Sequence, residues 1–192
     1  MSIKKYISCF DITNSSVTIN NYCNFEDFEN SSAFRAVNNT SEQNLTADEH
    51  VNPVLYPDVI FDENNEYNPI TSIFTPKQDG IYSIIGSVNF IPDVSPSTYR
   101  VLVEINVNGI PLASDNDFFG AIQIGNVTSV SAILQLTAGD AVSISCLSSV
   151  NGIINANPPA TRFEAARFPS PIKNCSSNTI TLRSNELSNN LI

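Results

Sequence analysis

The sequence predicts an all-β sandwich. Apolar residues recur at every second position in several runs, turn-forming residues interrupt those runs at regular intervals, and the i, i+3, i+4, i+7 spacing of an amphipathic helix is nearly absent. Val, Ile, Thr, Ser and Asn prevail over the helix-favouring Ala, Leu, Glu and Lys.

The strands can be read one by one. Tyr99, Val101, Val103, Ile105 and Val107 share one face of a run whose other face carries Arg100, Glu104 and Asn106, with Leu102 as the apolar exception. Tyr82, Ile84, Gly86, Val88 and Phe90 alternate in the same way, as do Val130, Ala132, Leu134 and Leu136, and then Val142, Ile144 and Cys146. Asn64-Asn65, Gln78-Asp79-Gly80, Pro92-Asp93, Asn108-Gly109, Gly139-Asp140 and Asn157-Pro158-Pro159 separate these runs as turns. Asn108-Gly109 is a hairpin signal, because both central residues of a tight two-residue turn need positive φ. Gly80 and Gly139 are expected where turns need a permissive backbone. Short strands at such spacing point to a sandwich or jelly roll.

Several strands also place apolar residues on the second face: Ile81, Ile85 and Ile91 in one, Leu102 in another, Ile133 in a third. A monomeric sandwich would leave that face wet, so Ile85, Leu102 and Ile133 are candidates for packing against another subunit.

The chain has 192 residues, enough for one domain with extensions, and 42% of them are apolar. A net charge of −10 provides no basic stripe to neutralise phosphates and disfavours anionic lipid, so neither nucleic acid nor membrane is an expected partner. No stretch approaches the ~20 apolar residues of a membrane-spanning helix. Two lysines occur near the start, but the apolar run of a signal peptide does not follow them.

The organisation expected is an N-terminal extension at 1–30, a sandwich domain at 31–169 and a C-terminal extension at 170–192. Both extensions are rich in Asn and Ser, yet each holds one short alternating run. Val17 and Ile19 mark the first; Ile180 and Leu182 mark the second. Neither run can bury much by itself, so the four residues are candidates for strand addition to a sheet edge. Cys146 shares a face with Val142 and Ile144 and is expected to be a buried, inert thiol. Cys9, Cys23 and Cys175 lie in the extensions. Three thiols cannot all pair within one chain without Cys146, so free thiols and cross-links between subunits both remain open.

Catalysis has little support. His50 is the only histidine, the carboxylates are scattered, and no nucleophile-elbow or phosphate-binding sequence occurs. His50, beside Asp48 and Glu49, is expected to be a solvated loop residue. No cofactor is implied. Asp115-Asn116-Asp117 offers hard oxygen ligands that a polar loop would equally explain, and Asp117-Phe118-Phe119-Gly120 is the best candidate for an exposed recognition loop, with core packing of either Phe the alternative.

Residues 32–169 resemble a C1q-type domain. The resemblance is carried by Ser32-Ala33-Phe34-Arg35-Ala36, Phe61-Asp62, Tyr67-Asn68-Pro69-Ile70-Thr71, Phe74-Thr75-Pro76, Gly80-Ile81-Tyr82 and Val107-Asn108-Gly109. It continues through Ala132-Ile133-Leu134-Gln135-Leu136, Gly139-Asp140 and the closing Thr161-Arg162-Phe163-Glu164-Ala165-Ala166-Arg167-Phe168-Pro169. In detail it is similar to the C1q-like heads of collagen-like spore-surface (exosporium) proteins of spore-forming bacteria. The resemblance implies a C1q/TNF-like ten-stranded jelly-roll sandwich, here with strand-like extensions, that assembles as a homotrimer through flat apolar faces. It also implies a large aromatic core from Tyr67, Phe74, Tyr82, Phe163 and Phe168, and calcium in some relatives, for which Asp115 and Asp117 would be the donors here. Unlike the stalked relatives, this sequence has seven glycines and no Gly-X-Y run.

The function expected from these features is a non-enzymatic structural subunit of a spore surface layer or fibre. Its trimers would be joined by tail strands and by disulfides through Cys9, Cys23 and Cys175, with itself and other spore-surface proteins as partners, at a spore surface or extracellular appendage reached without a signal peptide. The alternative is a trimeric head that recognises a protein or glycan.

Overall fold

The computed structural model describes residues 9–13, 16–20, 31–122 and 125–169, and no helix occurs among them. Two strands, β1 (Cys9–Thr13) and β2 (Ser16–Asn20), form an antiparallel hairpin with Phe10 opposite Ile19 and Ile12 opposite Val17. Val17 and Ile19 therefore lie in a strand, as their alternation predicts, and that strand has a local partner. The hairpin and the body at Asn30–Ser170 are separate units.

The body contains β3 (Ala33–Val37), β4 (Gln43–Leu45), β5 (Asp58–Asp62), β6 (Tyr67–Asn68), β7 (Ile73–Phe74) and β8 (Gly80–Pro92). It continues with β9 (Ser97–Val107), β10 (Ile110–Ile122), β11 (Asn126–Leu136), β12 (Val142–Ser148), β13 (Gly152–Ile154) and β14 (Arg162–Arg167). The strands exceed the ten implied by the resemblance because short pieces such as the three-residue β4 and β13 also pair.

One sheet has five strands in the order β10-β9-β12-β7-β6. The other has seven: β4-β13-β8-β14-β3-β5, with β11 on the opposite edge of β8. The 13-residue β8 organises this second sheet, pairing β11 from Gly80 to Phe90 on one edge and β14, then β13, on the other.

The two sheets pack their alternate residues against each other. Tyr82, Ile84, Val88 and Phe90 of β8 meet Val101, Val103 and Ile105 of β9 and Val142, Ile144 and Cys146 of β12 in one buried cluster. At one end Phe34 stacks on Tyr67 and Phe74 at ring separations of 4.6 and 4.9 Å and meets Phe163 edge-on at 4.9 Å. Each such pair adds about 0.5–1.5 kcal/mol to the area it buries. Phe168, expected in this core, is 44% exposed, because it follows the last residue of β14 at the sheet margin. Burial pushes the Cys146 thiol up to about 12, so the thiolate is suppressed at neutral pH. The expected inert thiol is borne out.

The turn chemistry follows the sequence at one end of the sandwich. Asn108 and Gly109 join β9 to β10 with φ of 52° and 79°. Asn108 Nδ2 donates to Asp140 Oδ1 at 2.8 Å and its Oδ1 accepts from Ala141 N at 2.9 Å, which ties this turn to the β11–β12 turn. Asp140 also accepts from Thr137 N; that backbone donor first, and Asn108 second, lower its pKa. Gly139 takes a φ of 93°, whereas Gly80, expected to need a permissive backbone, is not in the left-handed region and lies against the flexible Arg167 side chain.

Candidate subunit-packing face

Strand alternation and register assemble a single surface on the outer side of the seven-stranded sheet. One cross-strand row reads Ser131, Ile85, Glu164, Arg35, Phe61, from β11 through β8, β14 and β3 to β5. The adjacent row reads Ile133, Ser83, Ala166, Ala33. Ile81 and Gln135 form the start of the next. Ile133 is 67% exposed, Phe61 44% and Ile81 39%, although the inward neighbours Ile84, Phe34 and Phe163 are buried. Small residues between the large ones keep the surface low. A groove of about 270 Å3 opens on it, bordered by Phe61, Ile85, Ser83, Ala33 and Ala166.

Charge on this surface is confined to one cluster. Glu164 Oε1 lies 3.1 Å from Arg35 Nε and 3.4 Å from Arg162 Nε. Arg162 Nη1 also donates to the Pro159 carbonyl at 2.7 Å. These partly exposed pairs contribute little to the stability of a lone subunit.

Of the three residues expected to pack between subunits, the fold brings Ile85 and Ile133 onto this one face. Leu102 lies on β9 in the five-stranded sheet, where it stands opposite Leu147, which is 8% exposed. Its apolar partner is thus within its own chain. Around it the outer side of that sheet is polar. Asn106 Nδ2 donates to Ser145 Oγ at 2.9 Å, and Ser145 Oγ donates to Glu104 Oε2 at 3.0 Å. His50 is exposed and lies in a loop, as expected, and its Nδ1 stands 3.6 Å from the same carboxylate oxygen. Its segment is held there by backbone pairing of Val51 with Cys146 and of Val54 N with the Ile144 carbonyl, a long-range contact that local sequence does not announce.

Asp117-Phe118-Phe119-Gly120 is not a loop. It lies inside β10, where Phe118 is 76% exposed and Phe119 packs on Tyr99 at a ring separation of 5.1 Å. Asp115 and Asp117 occupy alternate positions on the same strand, and among the described residues no group of three or more His, Cys, Asp or Glu side chains could hold an ion. Cys9 lies in β1, whereas Cys23, Cys175, Ile180 and Leu182 lie outside the described residues. Arg35, Phe61, Arg162 and Glu164 were not legible as site residues in the sequence. The one signal for Arg35, Arg162 and Glu164 was the presence of charge in otherwise apolar strands.

Two antiparallel sheets packed face to face around a long central strand define a jelly-roll domain. The C1q domain matches residues 33–164, and the chain belongs to this family. C1q domains are generally non-enzymatic binding or structural domains that typically form homotrimers. The globular domain of zebrafish complement 1qA protein is similar in structure, with a TM-score of 0.50, 20% sequence identity, and coverage of 70% of this chain and 94% of that one. Eiger TNF from S. frugiperda is similar with a TM-score of 0.51 and 13% identity, covering 74% of this chain and 96% of that one. At these identities the likeness concerns the fold. No curated protein matches the sequence.

Proposed function

We propose that this chain is the subunit of a homotrimeric C1q-like head that works as a binding or structural module without catalysis, and that the trimer closes over the outer face of the seven-stranded sheet. The observation that supports this most directly is the contiguous surface of Ile81, Ile85, Ile133 and Phe61 interleaved with Ala33, Ser83 and Ala166. Exposed apolar residues made contiguous across neighbouring strands by their register are the pattern of an association surface. Sedimentation analysis tests it: the expected mass is three times the 20.9 kDa of one chain. Ile133→Asp, which buries an unpaired charge only in the assembled state, should yield a folded monomer with an unchanged far-UV spectrum. A monomeric parent chain, or a trimer indifferent to Ile133→Asp, defeats the reading.

A finer reading has these trimers joined into a spore surface layer or appendage through the extensions. It is favoured by the cysteines: Cys146 is buried and unreactive, which leaves the odd set Cys9, Cys23 and Cys175 for bonds between chains. Strands around Val17, Ile19, Ile180 and Leu182 would add register by pairing with a neighbour's sheet edge. Negative-stain images should then show filaments that shorten in reductant, and Cys9→Ser with Cys175→Ser should remove high-mass bands from a non-reducing gel. Discrete trimers in both conditions leave the recognition head as the function.

A further inference from the structure

The packing face carries a charge imbalance that an apolar interface would have to resolve. Arg35 and Arg162 both approach one oxygen of Glu164, so two guanidiniums share a single carboxylate beside the groove. Arg162 has a second acceptor in the Pro159 carbonyl. The terminal nitrogens of Arg35 make no bond among the described residues, and its side chain is 41% exposed. Among the described residues one positive charge is thus uncompensated on this apolar surface, in a chain whose net charge is −10. Covering it without an incoming anion would leave a desolvated, unpaired guanidinium, which is strongly unfavourable.

Symmetry limits where the anion can come from. The contacts of a three-fold ring are heterologous: each copy applies its face to a different surface of the next. Both surfaces converge on the axis, so the second must adjoin the first, at the β5 wall or at the β11 wall. The carboxylates of β5 are already engaged. Asp58 Oδ2 accepts from Asn39 N at 2.8 Å, and Asp62 accepts from Glu66 N and Tyr67 N at 3.0 and 2.9 Å.

The β11 wall is different. Among the described residues β11 pairs only with β8 and β10 only with β9, so the two strands offer adjacent edges with no described partner. Asp115 and Asp117 stand opposite Val103 and Val101, which are buried between the sheets, so both carboxylates lie on the β11 side of β10 and not with the outward Asn116 and Phe118. They are two residues apart on one side of a strand, a spacing of about 7 Å. Neither forms an ion pair among the described residues; Asp115 Oδ1 only accepts from the Asn116 amide.

We infer that, in the homotrimer, Asp115 and Asp117 of one copy pair with Arg35 and Arg162 of the next. This pairing rests on the trimer proposed above and deepens it: the apolar face supplies the area, and the four charges set the direction and register of the ring.

Reciprocal charge reversal tests the pairing, with assembly followed by sedimentation. The double variant Asp115→Arg/Asp117→Arg breaks no intramolecular ion pair and should raise the dissociation constant at least ~10-fold, as loss of a covered charge pair does. Arg35→Asp alone should also weaken assembly. Combining it with Asp117→Arg should recover most of the loss, which a merely misfolded variant would not do. Wild-type assembly in Asp115→Arg/Asp117→Arg, or no recovery in the Arg35→Asp/Asp117→Arg combination, overturns the pairing while leaving the trimer intact. A parent chain that is monomeric at every concentration instead overturns the trimer, and the pairing with it.

Discussion

The two sheets turn different outer faces to their surroundings. Over the five-stranded sheet, Asn106, Ser145 and Glu104 bond among themselves, Leu147 covers Leu102, and His50 with its segment lies across the row. Over the seven-stranded sheet no segment of the described chain does this for Ile133, Ile85 or Phe61, and two arginines share one carboxylate. The strands of both sheets share one core and one alternating pattern. What separates the faces is whether a described segment covers them, and an exposed apolar face is one that a second copy can cover.

Substitutions can break this contrast or refine it. The largest effect is expected where both faces depend on the same support. Phe34→Ala removes the ring at the centre of the Tyr67, Phe74 and Phe163 cluster and should cost about 3–5 kcal/mol in chemical denaturation, with loss of assembly as a consequence. A smaller loss would mean that the aromatic end of the core collapses around the void. Asn106→Ala should cost about 1–2 kcal/mol, because Asn106 is 3% exposed and its amide holds Ser145. Ser131→Ala, an outward substitution on the other sheet, should leave the melting temperature unchanged, and equal effects from the two would mean that the outer faces do not differ. His50→Gln should be smallest, at most about 0.5 kcal/mol, since the contact to Glu104 is half-exposed. A larger change in thermal unfolding would show that His50 anchors its segment more firmly than the geometry implies.

Much of the fold was legible in local pattern. Alternation in 82–90 and 99–107 marks the inward residues of β8 and β9, and Asn108-Gly109 marks the hairpin turn from β9 to β10 because few residue pairs accept two positive φ values. Cys146 was readable as a core thiol from its neighbours Val142 and Ile144. The site was only half legible. Ile85, Leu102 and Ile133 present the same signal in sequence, an apolar residue on the second face, and nothing local tells them apart. Leu102 differs because β12 brings Leu147 against it from 45 residues further along the chain. Phe168 looked like core and lies at a margin, and Asp117 to Gly120 looked like a loop and lies in a strand, since strand ends depend on pairing partners distant in sequence.

By itself, then, the sequence determined the strands, their buried sides and their tight turns, because side-chain period and backbone φ are properties of neighbours along the chain. Tertiary structure decided which second-face residues gather on one surface, that His50 rests on Glu104, and that Arg35 and Arg162 converge on Glu164. Those are matters of sheet order and register. They arise from pairings between segments tens of residues apart, which alternation at period two permits in many arrangements and packing selects in one.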